Sequence, residues 1–203
     1  MSSHQKNEIK NVVLAGVGGQ GILLASRLIS GAALMEGYDV KANEVHGMAQ
    51  RGGSVIAQIR FGEKVYSPLV KRGTAQLLVA MEIIEAVRHA EYIAPEGKVY
   101  VNTQRIIPTT VSSGLADYPS DPEAMARERF GHYQMENCLE LARKAGSPRC
   151  VNVVMCGWIS EALPFSEETW QSVMEQEIKP RFIDMNKEAF EMGRDLSENN
   201  SAS

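Results

Sequence analysis

Apolar positions recur along this chain in two rhythms, and the two alternate from Asn11 onward. Short apolar or period-two runs mark strands, and i, i+3, i+4 spacing marks helices. Val12-Val13-Leu14-Ala15 has the all-apolar character of a strand covered on both faces. After the turn Gly16-Val17-Gly18-Gly19-Gln20-Gly21, a helix is predicted from Ile22, Leu23, Ala25, Leu28, Ile29, Ala32, Ala33 and Met35, with Gly37 as its stop. Asp39 to Val45 reads as a second strand. Ser54 to Phe61 reads as a third, its Val55, Ala57, Ile59 and Phe61 opposing the more polar Ser54, Ile56, Gln58 and Arg60. Gly62-Glu63 would turn it back into a short hairpin mate, Lys64 to Tyr66. Gln76 to Ala80 and Lys98 to Val101 are two further predicted strands, flanking a helix from Glu82 to about Ala90.

Beyond this the pattern changes. Val111 to Pro122 is turn-rich and marks where sheet gives way to helices. Asp121-Pro122-Glu123 has the form of a helix start, a capping Asp followed by proline in the first turn. It opens a predicted helical stretch to about Lys144, with a break at Gly131. Val151 to Leu163 is apolar nearly all round, which fits a buried helix or a buried strand, and its length favours helix. Pro164-Phe165-Ser166-Glu167-Glu168 caps an amphipathic helix to Ile178, and another runs from Pro180 to Leu196. The order of elements predicts a three-layer α/β fold: a mostly parallel sheet with helices on both faces, extended by C-terminal helices. Residues 1–10 are read as a flexible N-terminus, 11–196 as a single domain and 197–203 as a disordered tail.

Composition narrows the function. A length of 203 residues suits one domain. With 21 Lys+Arg against 25 Asp+Glu the formal charge is −4, which argues against a nucleic-acid partner, since such proteins need a basic face to release counterions. No apolar run approaches the ~20 residues of a membrane span, and MSSHQKNEIK lacks the apolar core of a secretory signal. Cys138, Cys150 and Cys156 form neither a disulfide framework nor a CxxC pair, and they cannot supply a four-cysteine iron–sulfur site. Three free thiols point to the cytoplasm.

Gly16, Gly18, Gly19 and Gly21 lie between a predicted strand and a predicted helix, the context of a phosphate-binding turn. Glycine lets backbone approach a pyrophosphate at the positive end of a helix. The dinucleotide version also needs an acidic residue at the end of the second strand, a place Glu44 occupies. The alternative is a tight corner without a ligand. A GxGGxG start also occurs in enzymes that adenylate ubiquitin-like proteins, but their CxxC zinc pairs are not found here.

The segment from Glu44 to Ser54 joins the second and third strands and concentrates Glu44, His46, Gln50 and Arg51 beside Gly52 and Gly53. Loops at the carboxyl ends of strands in an open α/β sheet meet at one crevice, so this loop and the glycine turn are expected on one rim. Arg51 offers a fork of donors for a carboxylate or phosphate, and His46 a proton carrier near neutral pH. A salt bridge from Arg51 to Glu44, and His46 bonding backbone groups, are the bland alternatives.

GVGGQG followed by EVHGMAQRGGSV, together with NVVMCGWISEALPF, resembles the gamma-type subunit of 2-oxoacid:ferredoxin oxidoreductases, on the indolepyruvate branch, over about residues 11–196. The resemblance implies oxidative decarboxylation of an aryl 2-oxoacid to an acyl-coenzyme A, with electrons passed to ferredoxin. It implies that thiamine diphosphate and iron–sulfur clusters belong to a large partner subunit, and that this chain alone binds no cofactor and is inactive. Two alternatives stand beside it, a stand-alone dinucleotide-binding oxidoreductase or sensor and a purely structural accessory subunit. Self-association of the isolated chain, as a homodimer, is left open.

Overall fold

The computed structural model describes residues 8–46, 52–107, 109–112, 114 and 117–201. The chain runs β1 (Lys10–Val17), α1 (Ile22–Met35), β2 (Asp39–His46), β3 (Ser54–Gly62), β4 (Ala75–Ala80), α2 (Ile83–Arg88) and β5 (Ile93–Asn102). It continues as α3 (Thr109–Ser112), α4 (Pro122–Arg129), β6 (Tyr133–Glu136), α5 (Cys138–Lys144), α6 (Val151–Trp158), α7 (Glu167–Glu177) and α8 (Ile183–Ser201). The six strands form one sheet in the order β2-β3-β1-β4-β5-β6. β1, β4, β5 and β6 pair in parallel, whereas β3 runs antiparallel to both β1 and β2. The mostly parallel α/β sheet is therefore as expected, with one reversed strand.

Helices cover both faces. Val12, Leu14, Ala57, Ile59, Leu77 and Val79 pack beneath α1, α5, α6, α7 and α8, whereas Val13, Ala15, Leu78, Ala80, Val99 and Val101 pack against α2 and α4. Burial on both sides explains why β1 and β4 read as unbroken apolar runs. On the α1 side the rings of Tyr38, Phe61, Phe165, Trp170 and Phe190 contact one another in sequence at 5.2–5.7 Å between centroids, which joins the sheet to α7 and α8. Trp158 and Trp170 are thus core residues. The apolar 151–163 segment is the buried helix α6 followed by a 3-10 turn.

Three sequence expectations change. Lys64 to Tyr66 is not a strand, because Val65 turns into the core and its N–H donates to the Asp39 carboxylate instead of a ladder. The helical stretch from Asp121 to Lys144 is interrupted by β6, whose Tyr133 and Met135 face the α2 side while it pairs with β5. The sheet therefore continues past the turn-rich region. Finally, α8 passes Leu196 and runs to Ser201 through the stretch read as a disordered tail, with Ser197 Oγ donating to the Trp158 carbonyl at 2.8 Å.

Candidate functional site

The turn after β1 is held from inside by Gln20. Its Oε1 accepts the Val17 N–H at 2.8 Å, and its Nε2 donates to the Met81 carbonyl at 2.7 Å and to Gln104 Oε1 at 3.2 Å. The turn is thereby fastened to the ends of β4 and β5. Gly21, at φ +79°, is the N-cap of α1 in the left-handed region, and a Cβ there would stand 2.6 Å from Asn152 Nδ2, which itself donates to the Gly21 carbonyl. Both the conformation and the close approach call for glycine. No side chain caps α1, and its first turn holds no acidic residue. The positive end of a fourteen-residue helix is therefore not neutralised by a side chain of its own.

The second loop does meet this turn. Because β3 is antiparallel, β2 and β3 form a hairpin whose connection lies at the carboxyl end of β1. Val17 pairs with Ser54, and the Gly18 N–H donates to the Gly53 carbonyl at 2.9 Å. His46 and Val55, opposite each other across the hairpin, join Val17, Gly18, Gly19, Gly21 and the first two turns of α1 in lining a cleft of about 630 Å³. Its wall is apolar through Ile22, Leu23 and Leu24, and Arg27 stands at its edge, bonded to Glu177 at 2.8 Å.

The remaining expectations divide. Gly16 is buried beneath the turn, where a Cβ would meet Ile22 and Gln20 side chains, so it shapes the corner without lining the cleft. Glu44 is exposed on β2, opposite Ala57, and is not part of the cleft wall. A ribose-binding acid would sit on the strand beside β1, but β3 occupies that place, and β2 lies two sheet spacings, roughly 10 Å, from β1. Gln50 and Arg51 lie outside the described residues, and Gly52 and Gly53 form the foot of the hairpin connection next to Gly18. Sequence reasoning missed Gln20 and Arg27. The first had a signal, an amide inside a glycine turn with nothing else to bond, and the second follows Leu23 by one helical turn.

On the α2 side of the same rim, Ser54 Oγ donates to Glu85 Oε2, while His89 Nε2 lies 3.2 Å from Ser54 Oγ and 3.4 Å from Glu85 Oε2. Burial pushes the Glu85 carboxyl up, but the bonds from His89 and Ser54 and the Arg88 and His89 charges outweigh it and hold the group below its ordinary value. A lowered native value means that this contribution to stability is present at neutral pH and lost as pH falls through it. Glu85→Gln is therefore expected to unfold more readily than the parent at pH 7, and the difference to shrink as pH falls below the ordinary carboxylate range. Urea midpoints measured across that range check this, and parallel curves would refute it.

The described residues contain no group of three His, Cys, Asp or Glu side chains able to hold a metal ion. Cys138, Cys150 and Cys156 are buried, and desolvation pushes each thiol up, Cys156 to about 12. The three thiols do not gather into a ligand group, and no helix is long and apolar enough to cross a membrane among the described residues.

Fold and rim define an α/β subunit that presents a glycine-lined cleft beside a hairpin loop. The chain belongs to the pyruvate ferredoxin/flavodoxin oxidoreductase family, which matches residues 11–196. It is 43% identical over 188 residues to the indolepyruvate oxidoreductase subunit IorB of Thermococcus kodakarensis, covering 90% of this chain and 93% of that one. The IorB subunit of Archaeoglobus fulgidus is 38% identical, with 90% and 92% covered. Among solved structures, the gamma subunit of a keto/oxoacid ferredoxin oxidoreductase from Geobacter sulfurreducens superposes with a TM-score of 0.68 at 20% identity, covering 94% and 99%. A 2-oxoglutarate:ferredoxin oxidoreductase from Magnetococcus marinus, with 2-oxoglutarate, coenzyme A and succinyl-CoA bound, superposes with a TM-score of 0.74 at 21% identity. That likeness covers 95% of this chain and 32% of the longer one, so this fold is about a third of it.

Proposed function

We propose that this chain is the non-thiamine subunit of a cytoplasmic, indolepyruvate-type 2-oxoacid:ferredoxin oxidoreductase. The complex cleaves an aryl 2-oxoacid to carbon dioxide and an acyl group, transfers the acyl group to coenzyme A, and delivers the electrons to ferredoxin. Thiamine diphosphate and the iron–sulfur clusters sit on the large partner subunit, a reading supported by buried thiols here that are not gathered into a ligand group among the described residues. The observation that carries the reading for this chain is the cleft in which an uncapped helix N-terminus and the hairpin loop meet.

In this reading the loop from Glu44 to Ser54 faces the partner and helps close its active-site cavity. His46 and Arg51 offer charge and hydrogen bonds to a carboxylate of the oxoacid or a phosphate of coenzyme A. The glycine turn admits that anion to the helix end, and the apolar wall of Leu23 and Leu24 receives the uncharged remainder of the ligand. Arg51→Ala in the reconstituted complex is expected to raise the KM for oxoacid or coenzyme A about tenfold or more, the worth of one charge-assisted bond. Unchanged turnover and unchanged KM values would make the loop architectural. Titration of the isolated chain with coenzyme A, NAD and FAD separates the dinucleotide alternative, which the position of Glu44 already disfavours. Full activity of the large subunit alone would reduce this chain to an accessory.

A further inference from the structure

The segment from Glu63 to Arg72, of which Lys64 to Tyr66 reads from sequence as a hairpin mate, is instead a loop laid over the α2-side face of β3 and fixed from beneath. Val65 and Val70 are buried as its two anchors. The Asp39 carboxylate accepts the Val65 N–H at 2.9 Å, Arg60 Nη1 donates to the Ser67 carbonyl at 2.8 Å, and the buried Gln58 accepts the Val70 N–H at 2.7 Å through Oε1. Pro68 restricts the backbone between the anchors. Three polar side chains of the sheet are thus committed to holding one irregular loop in shape.

What that loop presents outward is apolar. Tyr66 is 88% exposed and Leu69 60% exposed, pointing away from the anchors on either side of them. Val45, half exposed, opens on the same side of the sheet from the edge strand β2. Lys64, Lys71 and Arg72 flank the two apolar side chains, with Glu63 opposing them, so the loop is locally basic in a chain whose net charge is −4. Part of this charge is already answered from within, weakly. Lys64 lies 3.8 Å from Asp39 and Arg72 3.2 Å from Glu91, yet both side chains are largely open to solvent.

We propose that Tyr66 and Leu69 form the core of a docking surface for the large partner subunit, seated in an apolar depression that is rimmed by acidic side chains. This goes beyond the cleft described above and rests on the chain being a subunit of such a complex. A projecting Tyr on a fixed loop is suited to the role, since Tyr is enriched at interface centres and little side-chain or loop freedom is lost on docking. The charge selects among occupants. A second copy docking the same face by a two-fold axis would bring two copies of one locally basic loop together, whereas an acidic rim is attracted and its encounter accelerated. A lipid surface would require a denser basic cluster than these three cations.

The test is binding of the purified full-length chain to the large subunit, followed by biolayer interferometry. Tyr66→Ala combined with Leu69→Ala is expected to weaken binding at least ~30-fold, mainly through faster dissociation, with an unchanged melting temperature because both side chains are outside the core. Lys71→Glu is expected to slow association and to flatten its dependence on salt. Binding within twofold of the parent for both variants overturns the proposal while leaving the subunit assignment intact. Failure of the parent chain to bind the large subunit at all overturns the assignment and this surface with it. Self-association of the isolated chain that the double variant abolishes would make a second copy the occupant, and overturns it as well.

Discussion

Alanine at Gly193 is expected to destabilise the protein by about 3 kcal/mol, the upper end for adding one carbon to a filled core. The reason lies in how α6 and α8 cross. A Cβ at Gly193 would stand 2.0 Å from the Val154 carbonyl oxygen and 2.9 Å from the Trp158 nitrogen, and one at Gly157 would stand 2.0 Å from the Phe190 carbonyl oxygen. Each helix therefore offers a glycine to the other's backbone, and backbone cannot rotate aside as a side chain does. Relief requires the helices to separate, which would unseat Trp158 and Phe190 from the α1-side core. Gly131→Ala is the natural control, since nothing lies within 4 Å of its Cβ position. Urea unfolding of the two variants provides the comparison. Equal midpoints would mean that the helices do not touch through their glycines.

The second large effect concerns activity. Leu23→Asp places a carboxylate in the first turn of α1, where it complements the helix dipole and is expected to add about 0.3–1 kcal/mol of stability. Leu23 also lines the cleft. A like charge beside an incoming anion, even discounted for solvent, costs about 1.4 kcal/mol or more, so the KM of the reconstituted complex for coenzyme A is expected to rise about tenfold or more. Stability and affinity would then move in opposite directions, which general damage to the fold does not produce. A rise in melting temperature with an unchanged KM would exclude the glycine turn as an anion-receiving site.

The parallel core was legible because its strands are buried on both faces and therefore read as apolar runs, with α1 announced by clean helical spacing after the glycines. β6 was not. Four half-buried residues on a sheet edge carry only Tyr133 and Met135 as an alternating signal, too little to oppose the helix-forming residues on either side. Lys64 to Tyr66 misled for a related reason: a β-propensity run after a glycine suggests a hairpin, but the Asp39 carboxylate captures the Val65 N–H. At the rim, the meeting of glycine turn and second loop followed from sheet topology, whereas the displacement of the Glu44 strand from the side of β1, where a ribose-binding acid would stand, depended on β3 inserting between β1 and β2, which no local pattern reveals. The Gln20 anchor spans 84 residues to Gln104 and belongs to tertiary structure alone.

The reversal of β3 has a consequence for how such a subunit diversifies. A parallel crossover between β2 and its neighbour would make the connecting segment part of the helical layer, and any change in its length would disturb packing. Here the connection returns on itself between His46 and Ser54, with its downstream end clasped to Gly18 and to Glu85. Residues can be gained, lost or exchanged inside that span at little entropic cost while both strands stay in register. The rim can thus change in length and composition as an exchangeable insert, without renegotiating the core beneath it.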